Sequence, residues 1–469
     1  MKENPTNKMK RKGSNNRLMA INQLLLLILL SVSILGCKKY VEVTSLSDKL
    51  LASQVFSTDA SANSAVAGMY RLLRTNLYNG GSYTPAILTG LSSDELYNFF
   101  PSSVLDDYKN NNIQITNGSL PWSNLYKIIY SANAIIEGLE GSSSISQSSK
   151  NQFTGEAKFV RAFCYFYLIN LFGDVPFLSS TEVTTNSTAS RNLATQVYNQ
   201  IINDLLDAQE LLDNGYLNSG GERIRVNKAG AIALLARVYL YNQNWSNAEL
   251  QASAVINSGL YVLLTNIDSF AIKNNNEAIL QWANTSSEGN YEPTQFIFTT
   301  SPNILCSNSL LTSFESGDLR KTKWIKSGIY SGNTYYYPYK YKSNATANVN
   351  EYYTVLRLAE QYLIRAEALA KQNKINVAVA DLNIIRQRAG LPSISVNISQ
   401  DSCLNAIMHE RQIELFAEGH RWFDLKRTGR INVVLGALKG NNWQTTDTLF
   451  PIPLSDIQKD PNLTQNQGY

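Results

Sequence analysis

The sequence predicts a mainly α-helical protein in which helix pairs build a superhelical scaffold and an irregular insertion packs on it. Three observations carry that prediction. Apolar residues recur at helical spacing over roughly 58–77, 121–140, 150–172, 193–213, 227–242, 245–258, 352–372, 375–389 and 401–427. Strand-like alternation is scarce. Between Tyr261 and Asn350 the helical period disappears and Asn, Ser, Gly and Tyr dominate, which suits a ligand-facing insertion better than a connector.

The elements follow in order. Lys8 to Arg17 is cationic, Leu24 to Leu35 is apolar, and Gly36-Cys37 comes at once, so 1–36 reads as a secretory signal peptide. Its apolar part is shorter than the roughly 20 residues a helix needs to cross a bilayer. Ile34-Leu35-Gly36-Cys37 resembles the bacterial lipobox, with Leu35 bulkier than that motif usually carries. Cys37 is therefore the expected lipidated residue, 37–48 a lipidated tether, and 49–469 a single globule. Within it, helix pairs are expected near 58–140, 150–213, 227–258 and 352–389, with the insertion at 261–350. Asn227 is a cap for the helix from Lys228, Gly259 follows one helix end, and Gly390 with Pro392 stops another. The segments 227–258 and 352–389 carry alanines where helices approach closely and match a tetratricopeptide-type unit in length.

Composition removes several classes of function. The 469 residues hold 41 Lys+Arg against 37 Asp+Glu, but six of the cations and one of the acids precede residue 38, leaving 35 against 36 beyond. A near-neutral body has no counterion-release drive, so nucleic acid is excluded as a partner. Two histidines argue against a His-rich metal site, and 26 tyrosines favour surfaces that stack and hydrogen-bond. Cys164, Cys306 and Cys403 lack CxxC spacing and give no disulfide framework or zinc site; Cys164 reads as a small core hydrophobe.

The charged motifs read as structural. Arg357 and Glu360 are three apart and are expected to pair along a helix face, while Arg365 and Glu367 serve neighbouring helices. Glu410, Arg411, Glu414, Glu418, Arg421 and Asp424 lie on one predicted helix, whereas a glycosidase needs two carboxylates facing each other across a cleft. His409 and His420 are about three helical turns apart, too far for a shared metal. Neither catalysis nor a cofactor is expected.

Several stretches together resemble the SusD/RagB family of nutrient-binding outer-membrane lipoproteins of Bacteroidetes-type bacteria. Gly155–Phe177, with its Arg161-Ala-Phe-Cys-Tyr-Phe-Tyr-Leu core and Gly173-Asp-Val-Pro turn, is similar to the most recognisable helix of that family. Ala233–Tyr241 followed by Trp245, Ala248 and Val255–Tyr261 resembles its third helix pair, and Arg357–Ala368 with Leu382–Gly390 its fourth. Glu410–Lys426, Pro451-Ile-Pro and Asn462–Tyr469 complete the series. The resemblance implies a SusD-like fold with four tetratricopeptide-like pairs. It also implies non-catalytic capture of oligosaccharide or polysaccharide at the cell surface and delivery to a SusC-like TonB-dependent transporter. The location it implies is the outer membrane, through a lipid anchor, facing the cell exterior. A peptide-capturing member of the family and a tetratricopeptide-type interaction scaffold stand as alternatives.

A sugar offers an apolar face for an aromatic ring and a rim of hydroxyls for Asn, Asp, Gln or Arg. Two regions supply both: the loop Ser92–Phe100, with Asp94, Tyr97 and Asn98, and the insertion, with Trp282, Asn284, Tyr291, Trp324 and Tyr336. If the insertion serves only the ligand, removing 261–350 abolishes binding and spares the helices.

Overall fold

Thr58 starts the first long helix: its Oγ1 accepts from the Ser61 backbone N–H at 3.2 Å while the Ser61 hydroxyl accepts from the Thr58 N–H, a reciprocal capping box. The computed structural model describes residues 52–78, 84–285, 290–344 and 349–469. The expected signal peptide, lipidated Cys37 and tether lie outside the described residues. Val55–Tyr469 cluster as one compact unit.

The helices run in chain order as α1 (Asp59–Leu77), α2 (Pro85–Ser92), α3 (Leu105–Lys109), α4 (Trp122–Gly141), α5 (Gln147–Phe172), α6 (Ala194–Leu211), α7 (Lys228–Tyr241) and α8 (Trp245–Asn257). The insertion adds α9 (Tyr291–Phe296), α10 (Asn308–Ser313) and α11 (Leu319–Trp324), and the C-terminal part α12 (Leu358–Lys371), α13 (Ile375–Arg388), α14 (Gln400–Glu414), α15 (Arg421–Arg427) and α16 (Ile431–Lys439). The pairs α1/α4, α5/α6, α7/α8 and α12/α13 pack in that order, with α6 against α7 and α8 against α12 joining successive pairs. α5 is apolar all round and buried on nearly every face over its C-terminal half, which marks it as the helix that others surround. Arg161 on α5 holds three helices together, donating to Asp204 on α6 at 2.7 and 2.8 Å and to Asn133 on α4 at 2.9 Å. Asn227 caps α7 as its sequence suggests, accepting from the Gly230 N–H at 2.9 Å. α5 ends at Gly173, with φ +75° and Leu449 so near that a Cβ would sit 3.0 Å from its Cδ1.

Among the described residues the insertion carries four short strands that the period did not disclose, and Leu96–Asn98 and Tyr353–Arg357 pair with it from outside. β1 (Leu96–Asn98) pairs antiparallel with β3 (Ile304–Cys306), β4 (Ile325–Tyr330) with β5 (Asn333–Pro338), and β2 (Ala278–Trp282) with β6 (Tyr353–Arg357). The β4–β5 hairpin turns on Ser331 and Gly332, both at positive φ. Two expected helices are thereby corrected. The segment 352–372 begins as strand β6, because its Tyr-Tyr-Thr-Val run pairs with β2, and becomes helical only at Leu358. The segment 401–427 breaks between α14 and α15, where Ala417 and Gly419 take φ +56° and +80°. One apolar cluster runs through the first three pairs and the insertion, and a second lies between α12, α13 and α14.

Charge is packed between these layers. Arg357, at the β6–α12 junction, donates to Glu277 at 2.9 Å, Glu414 at 2.6 Å and Glu418 at 2.8 Å, all buried. Glu360 instead holds Arg237 of α7 through two bonds of 2.6 Å, Arg365 holds Asp381, and Glu367 holds Arg427. The expected Arg357–Glu360 pair is therefore not made: Arg357 precedes the helix on an extended residue and points across the layer. Burial alone would raise the Glu414 carboxyl, but Arg388, Arg357 and Arg320 hold it far below its ordinary range.

Candidate functional site

The end of α2 and the strand after it make the floor of a cavity. Asp94 follows the helix, buried, and its two oxygens accept from Nε and Nη2 of Arg421 at 2.7 and 2.9 Å, a bidentate pair that ties this loop to the start of α15. Ser309 donates to the same carboxylate at 3.2 Å. β1 then alternates: Leu96 and Asn98 point in, and Tyr97 points out with 42% of its surface exposed. Asn98 spends its amide on Phe100 O at 2.6 Å and Asp106 at 3.1 Å, closing the turn into α3. Lys109, from α3, stands 4.8 Å over the Tyr97 ring.

β3, paired with β1, and the β4–β5 hairpin supply the facing walls. Tyr336 on β5 is 45% exposed, and Tyr335 packs edge-on against Phe99 with ring centres 4.9 Å apart. Tyr97, Tyr335 and Tyr336 thus line one cavity of about 670 Å³, whose remaining rim includes Asn110, Asn308, Ser309 and Asn442. Burial pushes Lys439 down to about 7, and burial followed by the nearby Asp94 pushes Glu95 up to about 8. With Asp94 paired to Arg421, the cavity presents rings, hydroxyls and carboxamides, with the amines of Lys109 and Lys439 in its wall.

Of the residues singled out in the sequence, Asp94, Tyr97 and Tyr336 meet at this cavity, and Asn98 shapes it from beneath. The others lie elsewhere. Trp282 is 2% exposed, its ring centre 5.9 to 6.2 Å from those of Tyr70, Phe163 and Tyr78. Trp324 is equally buried, donating from Nε1 to Ile267 O at 2.8 Å with Lys340 Nζ 4.4 Å from the ring. Asn284 donates to Glu351 O at 2.6 Å, and Tyr291, half-buried, opens α9. These four sit where β2, α9 and α11 join the scaffold, which corrects the expectation that the insertion's tryptophans face a ligand. Sequence reasoning missed Asn308, Ser309, Lys439 and Asn442; the clustered asparagines at 110–112 and 441–442 were the available signal.

The carboxylates of the 410–424 stretch are committed to cations. Glu410 accepts from Arg320 at 2.5 Å, Glu418 from Lys340 at 2.5 Å and Asp424 from Arg411 at 2.8 Å. Among the described residues no group of three or more His, Cys, Asp or Glu side chains is placed to hold a metal ion.

Comparison with known proteins agrees with this geometry. The model of the SusD family matches residues 312–469, and a second, described as starch-binding and associating with the outer membrane, matches residues 39–240. A SusD-like protein of Formosa agariphila is 24% identical, the alignment covering 96% of this chain and 100% of that one. The starch-binding protein SusD of Bacteroides thetaiotaomicron is 34% identical over 122 residues, 24% of this chain and 21% of that protein. A solved laminarin-binding SusD-like protein superposes with a TM-score of 0.77 at 26% identity, covering 87% of this chain and 99% of that one. Matched by family models at both ends and by whole-chain relatives between them, the chain belongs to the SusD/RagB family.

Proposed function

We propose that the protein captures neutral oligosaccharide or polysaccharide in the cavity under Tyr97 and Tyr336, without cleaving it, and hands it to a SusC-like TonB-dependent transporter. The lipid on Cys37 holds the protein to the outer membrane with its globule facing the cell exterior. The observation that carries this reading is the pair of half-exposed tyrosines bordering one cavity with hydroxyls and carboxamides, the chemistry of a sugar's face and rim. Laminarin binding by the 26%-identical relative supports a glycan over a peptide. The absence of catalysis is supported by Glu410, Glu418 and Asp424, each held by a buried cation.

The test is retention of the soluble body, residues 38–469, on a panel of polysaccharides and on a mixed peptide pool. One glycan class should be retained, and Tyr97→Ala and Tyr336→Ala should each weaken it about fivefold, the loss of about 1 kcal/mol of stacking. Retention of peptides alone, or product release from any glycan, would overturn the reading. Co-purification with a TonB-dependent barrel from native outer membranes tests delivery.

A further inference from the structure

Beside the tyrosine-lined cavity lies another of about 640 Å³, and the two share Asn110 and Asn442 in their walls. Both volumes fall in the range of about 300–1,000 Å³ typical of ligand sites. The chemistry of the second differs. Carboxamides from 110–114 form one side and those from 441–444 the other, with Ile113 and Ile115 as its only large aliphatic residues and no aromatic residue except the C-terminal Tyr469.

The walls are fixed by the backbone beneath them. α3 ends in a turn that places Asn111 at φ +53°, and its buried carboxamide donates to Ser92 O at 3.2 Å. Lys439, the last residue of α16, donates to Ser92 O at 2.7 Å and to Asn111 Oδ1. One buried ammonium therefore joins the 110–112 turn to the 440–442 turn. The exposed carboxamides of Asn110, Asn441 and Asn442 have no hydrogen-bond partner among the described residues, so they face solvent with both donor and acceptor unspent. Among the described residues, Asp447 is the one charged side chain of the lining, and no cation lines the cavity.

We infer that this amide-lined cavity is a second subsite, continuous with the first, that holds the further units of the same neutral glycan by carboxamide–hydroxyl hydrogen bonds rather than by stacking. This rests on the proposed function of the tyrosine-lined cavity. A carboxamide offers a donor and an acceptor on one planar group, and a pair of neighbouring sugar hydroxyls returns both. Sulfated or uronic-acid chains would meet a carboxylate and no cation. A peptide would want apolar side-chain pockets or a free strand edge, and this cavity offers neither.

The test measures affinity of the lipidated protein, in detergent, for neutral oligosaccharides of the glucan, mannan and xylan classes graded from disaccharide to octasaccharide. Affinity for the retained class should rise with length. The double variant Asn441→Ala/Gln444→Ala, at exposed positions of the second cavity only, should weaken binding of the longest chain about tenfold and leave the shortest unchanged, two hydrogen bonds being lost. Tyr97→Ala should weaken both lengths. Unchanged binding by the double variant at every length overturns the second subsite while leaving the first in place. Binding of no neutral oligosaccharide, or of peptide in its stead, overturns both. Tighter binding of the sulfated or uronic counterpart through Asn441 and Gln444 overturns the neutral assignment.

Discussion

Glu292 carries the clearest pH signature at the scale of single residues. It is fully enclosed, its Oε1 accepts from the Thr84 hydroxyl at 2.6 Å, and burial raises its carboxyl from an ordinary 4.5 to about 8. The native state therefore keeps a proton that the unfolded chain releases between those values. This contribution to stability is complete below about pH 4.5 and is lost as pH rises to about 8. Glu292→Gln should flatten part of that decline: urea midpoints of wild type and variant should differ most in favour of wild type at pH 5, with the gap closing or reversing at pH 8.5. Glu95, shifted the same way, leaves a residual slope. At this scale the sequence was legible where a residue's neighbours are local. Asn227 capped its helix as its spacing predicted, and Tyr97 faced out. Trp282 and Trp324 were not legible, because an aromatic within a polar, irregular run reads alike whether it meets a sugar or the core. What decides is pairing with segments far along the chain, which periodicity does not record.

Among elements, the junction of β6 with α12 is the most connected. Arg357 alone joins β6 to the carboxylates of Glu277, Glu414 and Glu418. Arg357→Met leaves those three buried acids short of a cation and should cost about 3–5 kcal/mol, read as a lowered urea midpoint at pH 7. Gly419→Ala should be destabilising for a steric reason, because φ is +80° and the new Cβ would lie 3.2 Å from the Ala86 Cα. A cost of about 1–3 kcal/mol is expected, and a melting curve checks it. Helices of the scaffold were readable to within a few residues since amphipathic period and caps agree there. The break within 401–427 was not, because an apolar stripe can continue across a turn whose reversal is set by backbone angles at Ala417 and Gly419.

For the whole molecule, the insertion proves inseparable from the scaffold. It contributes β2 to a sheet with β6, two buried tryptophans to the main core and Glu277 to the buried charge network. Deleting 261–350 is therefore expected to abolish the cooperative thermal transition seen by circular dichroism, and not merely ligand retention. The sequence told that this region is irregular, and the inference that it is dispensable for folding failed because irregular backbone can still be core.

The floor of the tyrosine-lined cavity joins Asp94 to Arg421, residues 327 positions apart in the chain. Closing a contact of such range comes at a late stage of folding, after loop entropy has been spent on the intervening helices. A half-folded chain accordingly lacks the floor of that cavity. Retention on a glycan column then counts only molecules that have finished folding, and added oligosaccharide should slow global unfolding while leaving the refolding of early helices at its own pace.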